Sequence, residues 1–299
     1  MKIAVLLTCH NRSAKTEKCL LSLQKALEAY NTTPEEKIQI EIFLTDDGCT
    51  DDTVEVARKV FPDQNVLHIL QGDGNLYWAG GMRSCWHEAM KHHQEWDYYL
   101  LLNDDTELMS YVFSELISTE NYSKKVYGKQ AIVSGTCCSI SDHTKMTYGG
   151  YVFTNWFLRR SKNVWPVDEP IMCDTINANV MLVPSYVVNH IGIFYDKYQH
   201  AYADFDYSVT ARKNKIPVLL SLRTCASCDY DHVDKKTKVA NLLKMSVAER
   251  KNYYRHPLHS MKDGLIYNWR ISPLKIPGVI ILDLLKIYFP HIYYKWCHV

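Results

Sequence analysis

Short apolar runs alternate four times with longer amphipathic stretches over about the first 105 residues, and this alternation leaves few architectures open. Ile3 to Leu7 is apolar throughout, as a strand covered on both faces must be, and a helical pattern from about Ser13 to Tyr30 follows it. "IQIEIFLT" then supplies a second strand, "DDGCTDD" a turn and "TVEVARKVF" a helix with one apolar side. "NVLHIL" is a third strand, Gly80 to Gln94 a third helix, and "DYYLLLN" a fourth strand. The pattern predicts an α/β fold: an open, mostly parallel sheet with right-handed crossovers, flanked by helices.

Ligands of such sheets bind beyond the carboxyl ends of the strands. Four polar clusters fall there: Thr8 to Arg12 after strand one, Asp46 and Asp47 after strand two, "GDGNLYWAGG" after strand three, and Asp104 with Asp105 after strand four. The second half is less regular. "QAIVSGTCCSI" and "MTYGGYVF" read as strands, "NANVMLVPSYVVNHIG" as a strand entering a short helix, and "YADFDYSVTARKNKIPVLL" as loop, helix and strand.

No linker or repeat divides the chain, so one domain is expected over residues 1–235, its two halves meeting at about 108. Residues 236–299 form a helical C-terminal extension. Lys plus Arg number 34 against 33 Asp plus Glu, a balance that argues against nucleic acid as a partner. The N-terminal apolar run is too short for a signal peptide, and the ten cysteines lack secreted-domain spacing. A cytoplasmic protein with free thiols is expected; "CASC", at Cys225 and Cys228, has no second pair to complete a four-thiolate zinc site. Pro277 to Trp296 is the most apolar region, but Asp283, Lys286 and Pro290 break it, which suits a helix lying on the inner face of a membrane or one packed on the domain.

Two adjacent carboxylates repel, and burial raises their pKa values unless a cation compensates. Asp104 and Asp105 therefore suggest a divalent ion, Mg²⁺ or Mn²⁺, whose remaining ligands come from a phosphorylated substrate. The alternative is that one of them caps a helix starting near Glu107. An arginine salt-bridged to Asp105 would rule out the metal and every function that rests on it. Asp47 is placed to accept hydrogen bonds from a base or from ribose hydroxyls, while Asp51 or Asp52 caps the next helix.

"LLTCHNR", "TDDGCTDDT", "GNLYWAGGMR" and "LLNDDTEL", in this order, resemble family 2 glycosyltransferases of the GT-A fold, most closely the rhamnosyltransferase-like bacterial members that build surface polysaccharides. The resemblance implies that Thr8 and Asp47 hold the nucleotide of a nucleotide-sugar donor, with His10, Arg12 and Asp46 beside them. His10 stands where the family usually has an aromatic residue. It implies that Asp104 and Asp105 are the metal-binding pair that flanks the donor's ribose and the metal, Asp105 the more direct ligand, with His232 as a further ligand to the metal or diphosphate. "YADFDYSVTAR" matches the family's acidic base motif and its following arginine through Asp204, Asp206 and Arg212, with Ala203 replacing the usual glutamate. By position Asp204 is the base, Asp206 the substitute, and either is open to a capping role.

The loop carrying Asn75, Trp78, Gly80 and Gly81 is expected to line the donor, its glycines letting backbone approach a sugar or phosphate. Trp78 is equally suited to core packing. The implied reaction is inverting transfer from a dTDP-rhamnose or UDP-hexose type donor to a hydroxyl of a glycan or lipid-linked glycan, which needs one carboxylate base and one metal. A non-catalytic relative, made conceivable by Ala203, is a rival. A sugar-phosphate nucleotidyltransferase is another, although "TCHNRSAKT" lacks a glycine-rich basic loop.

Overall fold

The computed structural model describes residues 1–32, 36–92, 95–155, 160–229 and 235–296. The first half runs β1 (Lys2–Cys9), α1 (Ser13–Thr32), β2 (Gln39–Asp46), α2 (Thr53–Val60), β3 (Leu67–Gln71), α3 (Tyr77–Lys91) and β4 (Tyr98–Leu102). The chain continues through β5 (Glu107–Leu108), α4 (Val112–Tyr127), β6 (Ile132–Cys138), β7 (Gly150–Asn155), β8 (Arg160–Val164), β9 (Ile171–Met172) and β10 (Thr175–Ile176). Then come β11 (Val180–Pro184), α5 (Ser185–Ile191), α6 (Ala203–Lys213) and β12 (Val218–Ser227). The extension carries α7 (Lys235–Lys244), α8 (Val247–Arg255), α9 (Met261–Ile271), α10 (Ile276–Tyr288) and α11 (Pro290–Trp296).

Eight strands lie in the order β3-β2-β1-β4-β11-β6-β12-β5, and β9 joins β12 to complete a nine-stranded mixed sheet. β3, β2, β1 and β4 are mutually parallel, as the alternation predicts, and β6 is parallel to β12. The antiparallel partners, β11 against β4 and β6, enter where the sequence loses its regularity. A separate three-stranded sheet, β10-β7-β8, stands beside it.

The apolar strands are covered on both faces. Ile3, Val5 and Leu7 point into one core layer with Leu20 and Leu23 of α1 and Phe113 and Leu116 of α4. Ala4 and Leu6 point into the other with Met82 and Trp86 of α3 and Tyr207 of α6. That double coverage is why β1 tolerates no polar alternation.

α9 is fastened to the domain by charge as well as packing. Arg270 Nε donates to both Asp206 oxygens at 3.0 Å, and Asp263, fully buried, accepts from the backbone N–H groups of His200 and Ala201. Arg250 of α8 donates to the carbonyls of Ile287 (2.6 Å) and Met245, tying α8 to α10. No helix among the described residues is long and apolar enough to cross a membrane.

Candidate active site

The strand-end clusters converge on one rim because β1, β2 and β4 run parallel and in register. Thr8 sits opposite Thr45 and Cys9 opposite Asp46. Beyond the ladder, Asp47 N donates to Cys9 O and Gly72 N to Asp46 O, which extends the pairing into the loops.

The acidic pair lies directly after β4. Arg12 Nη1 donates to Asp105 Oδ2 at 2.8 Å and to Asp104 Oδ1 at 3.3 Å, with the arginine side chain 38% exposed and the carboxylates 13% and 8%. Burial, reinforced by the Asp105 charge, pushes the Asp104 carboxyl up to about 7 although Arg12 pulls it down. Its Oδ2 atom is buried and has no hydrogen-bond partner among the described residues. Asp105 Oδ1 accepts from the Cys228 thiol at 3.6 Å. Two expectations change. Residues Glu107–Leu108 form a strand and α4 starts only at Val112, without a side-chain cap, so neither aspartate caps a helix near Glu107. The pair also carries a protein cation, Arg12, where the sequence suggested that a metal would be the compensating charge.

Asp47, expected to take hydrogen bonds from a nucleotide, spends both oxygens on backbone. Oδ1 accepts from Gly74 N (2.9 Å) and Leu76 N (3.2 Å), and Oδ2 from Tyr77 N (2.9 Å). It thus caps the start of α3 and fixes the loop before it. Asp46 accepts from Cys49 N and Gln71 Nε2, and Asp51 accepts from the N–H groups of Ser13 and Thr53, joining the starts of α1 and α2. The second acidic cluster is mainly a turn-building device.

Trp78 lies in helix α3 and not in the loop before it. α3 begins at Tyr77, three residues before the predicted start, so Trp78, Gly80 and Gly81 belong to its first turns. Gly80 and Gly81 are buried, and a Cβ on Gly81 would stand 2.1 Å from Thr8 Oγ1, so this glycine serves close helix–strand packing and not approach to a ligand. Trp78 is half-buried, 5.5 Å from the Phe194 ring, and its indole N–H donates to Asn103 Oδ1 at 2.8 Å. Asn75 remains exposed, with Nδ2 on Asp73 O. His10, also exposed, donates from Nδ1 to Asp47 O at 2.7 Å. His232 lies outside the described residues.

Asp204 stands in the first turn of α6, partly buried, accepting from Ala178 N at 3.2 Å and Phe205 N at 2.9 Å. No cation pairs with it among the described residues, and burial raises its carboxyl to about 6. Asp206, by contrast, is locked on Arg270, which removes it as a free base. Ala203 is buried in the core layer that holds Trp86. Arg212 points away toward Met172, donating to Sδ.

One hydrogen-bonded chain joins these parts. Asn103 N donates to Asn179 O, Ala178 N to Asp204, and Asn179 Nδ2 to the Cys228 sulfur that faces Asp105. Asn103 and Asn179 are residues that the sequence reading did not single out; the first adjoins the acidic pair, and the second carries no local signal.

An oxygen-rich, buried pair with one orphaned carboxylate oxygen, an aspartate raised toward neutrality and a shared rim can bind a phosphorylated ligand and accept a proton. No curated protein sequence matches the chain. Among solved structures it is similar to S. aureus TarS residues 1–349 in complex with UDP-GlcNAc, at 11% identity and a TM-score of 0.58, over 96% of this chain and 82% of that one. It is also similar to the mannosyltransferase PcManGT from Pyrobaculum calidifontis in complex with GDP-Man and Mn²⁺, at 11% identity and a TM-score of 0.52, over 99% and 74%. Against a longer TarS chain it spans 44% of that chain's length, at 14% identity and a TM-score of 0.53. These likenesses establish the GT-A fold. The family model described as Glycosyl transferase family 2 matches residues 4–175, a span that holds more than half of the chain and all four strand-end clusters but stops short of Asp204. The chain therefore belongs to glycosyl transferase family 2.

Proposed function

We propose that this glycosyltransferase moves a sugar from a nucleoside diphosphate sugar to a hydroxyl of a growing surface glycan, in a single inverting displacement with Asp204 as general base. One observation carries the reading. Asp204 is a carboxylate without an ionic partner among the described residues, raised to about 6, and bonded through Ala178 to the segment that adjoins the acidic pair. An acceptor hydroxyl is far too weak an acid to ionise alone, and a carboxylate with a pKa near neutrality takes its proton as the C–O bond forms. The proton ends on an Asp204 oxygen while the diphosphate departs from the opposite face of the sugar.

The acidic pair fits a hard divalent cation. Its donors are carboxylate oxygens, and the orphaned Asp104 Oδ2 is a buried acceptor that a cation would satisfy. Asp104 and Asp105 would hold Mg²⁺ or Mn²⁺, which neutralises charge on the leaving diphosphate, an effect worth several kcal/mol. Arg12 is then the pair's own counter-charge and, as the most exposed of the three, the guanidinium placed nearest to meet phosphate oxygens when the donor arrives. Asp47 acts indirectly, by shaping the loop and the start of α3 that face the donor.

The donor is of the dTDP-rhamnose or UDP-hexose type; UDP-GlcNAc and GDP-Man in the two similar structures support a nucleoside diphosphate sugar. The acceptor is a glycan or lipid-linked glycan. α10, α11 and the residue between them expose Ile280, Ile281, Leu284, Phe289 and Ile292, which supports peripheral contact with the cytoplasmic face of a membrane. Co-sedimentation with anionic vesicles tests this contact, and an Ile281→Asp/Phe289→Asp variant should stay in the supernatant.

The test of the catalytic reading is a panel of nucleotide sugars, with donor binding read by thermal shift and transfer by release of the nucleoside diphosphate. Asp204→Asn should keep donor binding and lose transfer by roughly 10²–10⁴-fold. An inactive Asp206→Asn beside an active Asp204→Asn would overturn the assignment.

A further inference from the structure

At the opposite end of β2 from the donor cleft, three ligand-type side chains meet on the α3 face of the sheet. Glu41 lies on β2, His68 on the neighbouring β3, and His92 closes the C-terminal end of α3. Six residues of strand separate Glu41 from Asp47, about 20 Å at 3.3 Å per residue. Glu41 Oε2 is 2.8 Å from His68 Nε2 and 3.6 Å from His92 Nδ1, and one ligand atom from each residue lies within 4.8 Å of the others.

We propose that Glu41, His68 and His92 form a three-ligand site for a borderline divalent transition-metal ion, zinc above all. Around a tetrahedral ion with bonds of about 2.1 Å, ligand atoms sit about 3.3–3.6 Å apart, so the two Glu41 spacings need shifts of at most several tenths of an ångström and the histidine pair at most about 1.5 Å. Two imidazole nitrogens and one carboxylate oxygen select zinc, and also copper or nickel, over the all-oxygen preference of Mg²⁺. Three protein ligands leave a fourth position for water, and the one-third exposed His92 gives the ion a way in.

The rings are already held for the task. Phe43 stacks on His68 at 4.7 Å and meets His92 edge-on at 5.4 Å, so both imidazoles pack against one aromatic side chain. Glu41 is buried, which makes a cation there more valuable than one at the surface. Bound metal would tie the C-terminal end of α3 to β2 and β3, while Asp47 holds the N-terminal end of the same helix. The site is thus a brace for the helix that carries Trp78 and Gly81, separate from the donor metal.

The test uses the full-length protein, stripped of metal, titrated with Zn²⁺ against a chromophoric chelator and in parallel with Co²⁺. The wild type and an Asp104→Asn/Asp105→Asn double variant should each bind one equivalent of zinc. Binding should raise Tm by roughly 4–8 °C at a hundredfold excess over Kd. Glu41→Gln and His92→Ala should lose at least tenfold in affinity, and His92→Ala, altered at a partly exposed helix end, should keep its metal-free Tm. Cobalt should show the visible bands of a four-coordinate nitrogen and oxygen site. Unchanged affinity in a folded His92→Ala, loss of zinc in the Asp104→Asn/Asp105→Asn variant, or a sulfur-to-cobalt charge-transfer band would each overturn the proposal.

Discussion

Arg12 Nη1 lies 2.8 Å from Asp105 Oδ2, so the acidic tip of the fourth strand is partly compensated by the protein itself before any ligand arrives. Read from sequence, an arginine salt-bridged to Asp105 rules out a sugar-transferring enzyme; the bridge is present and the family match over residues 4–175 overturns that expectation. In the structure the same nitrogen reaches Asp104 at 3.3 Å and still leaves Asp104 Oδ2 without a partner, so the arginine compensates the pair incompletely. The account that fits both facts has Arg12 standing in for charge that the donor and its ion later share.

Removing Arg12 should therefore expose the repulsion. Arg12→Ala leaves two buried carboxylates together and should cost roughly 1–3 kcal/mol of stability at neutral pH. Mn²⁺ should restore more of that loss in the variant than it adds to the wild type, and donor KM should rise. Thermal unfolding with and without Mn²⁺ reads the first effect and donor titration the second.

Asp204 gives the pH dependence. With a carboxyl at about 6, the ionised base is lost as pH falls, so kcat/KM should drop tenfold per pH unit below about 6 and level off above it. A rate profile flat down to pH 5 would assign the proton to another group.

Stability runs the other way. The Asp204 carboxyl is raised from 3.8 unfolded to about 6 folded, so between these values the folded state binds more protons and stability falls as pH rises. The penalty is complete above about 6. The stability of Asp204→Asn relative to the wild type should thus rise between pH 4 and pH 7, by roughly 1–3 kcal/mol, whatever the amide loses at the backbone N–H that it cannot accept. Melting curves across pH 4–8 check this sign independently of activity.

Gly81 makes a packing prediction. A methyl group there would overlap Thr8 Oγ1 at 2.1 Å, so Gly81→Ala should destabilise by about 1–3 kcal/mol through overpacking. Thr8→Ala should recover part of the loss when combined with it, an interaction that a double-mutant cycle measures.

Periodicity carried the first half of the fold because β1, β2 and β4 are buried on both faces and helices separate β1, β2, β3 and β4. It carried less of the second half, where β9 and β10 are two residues each and owe their pairing to distant strands such as β12 and β7. In the site, the positions of Asp104, Asp105 and Asp204 were legible as strand-end and helix-start carboxylates. The partners that set their chemistry were not. Arg270, which immobilises Asp206, lies 64 residues away in sequence. Asp47 and Gly81 were legible as special positions, but only coordinates show that one caps α3 and the other makes room for Thr8.

The most direct test of the central claim is nucleoside diphosphate release from the accepted donor, measured with a chelator, after adding back Mg²⁺ or Mn²⁺, and in Asp105→Ala, with His92→Ala run alongside so that the separate zinc site is not mistaken for the donor metal. The account predicts that chelation abolishes release, that Mg²⁺ or Mn²⁺ restores it in both the wild type and His92→Ala, and that Asp105→Ala stays inactive. Full turnover under chelation, or full activity of Asp105→Ala, would contradict it.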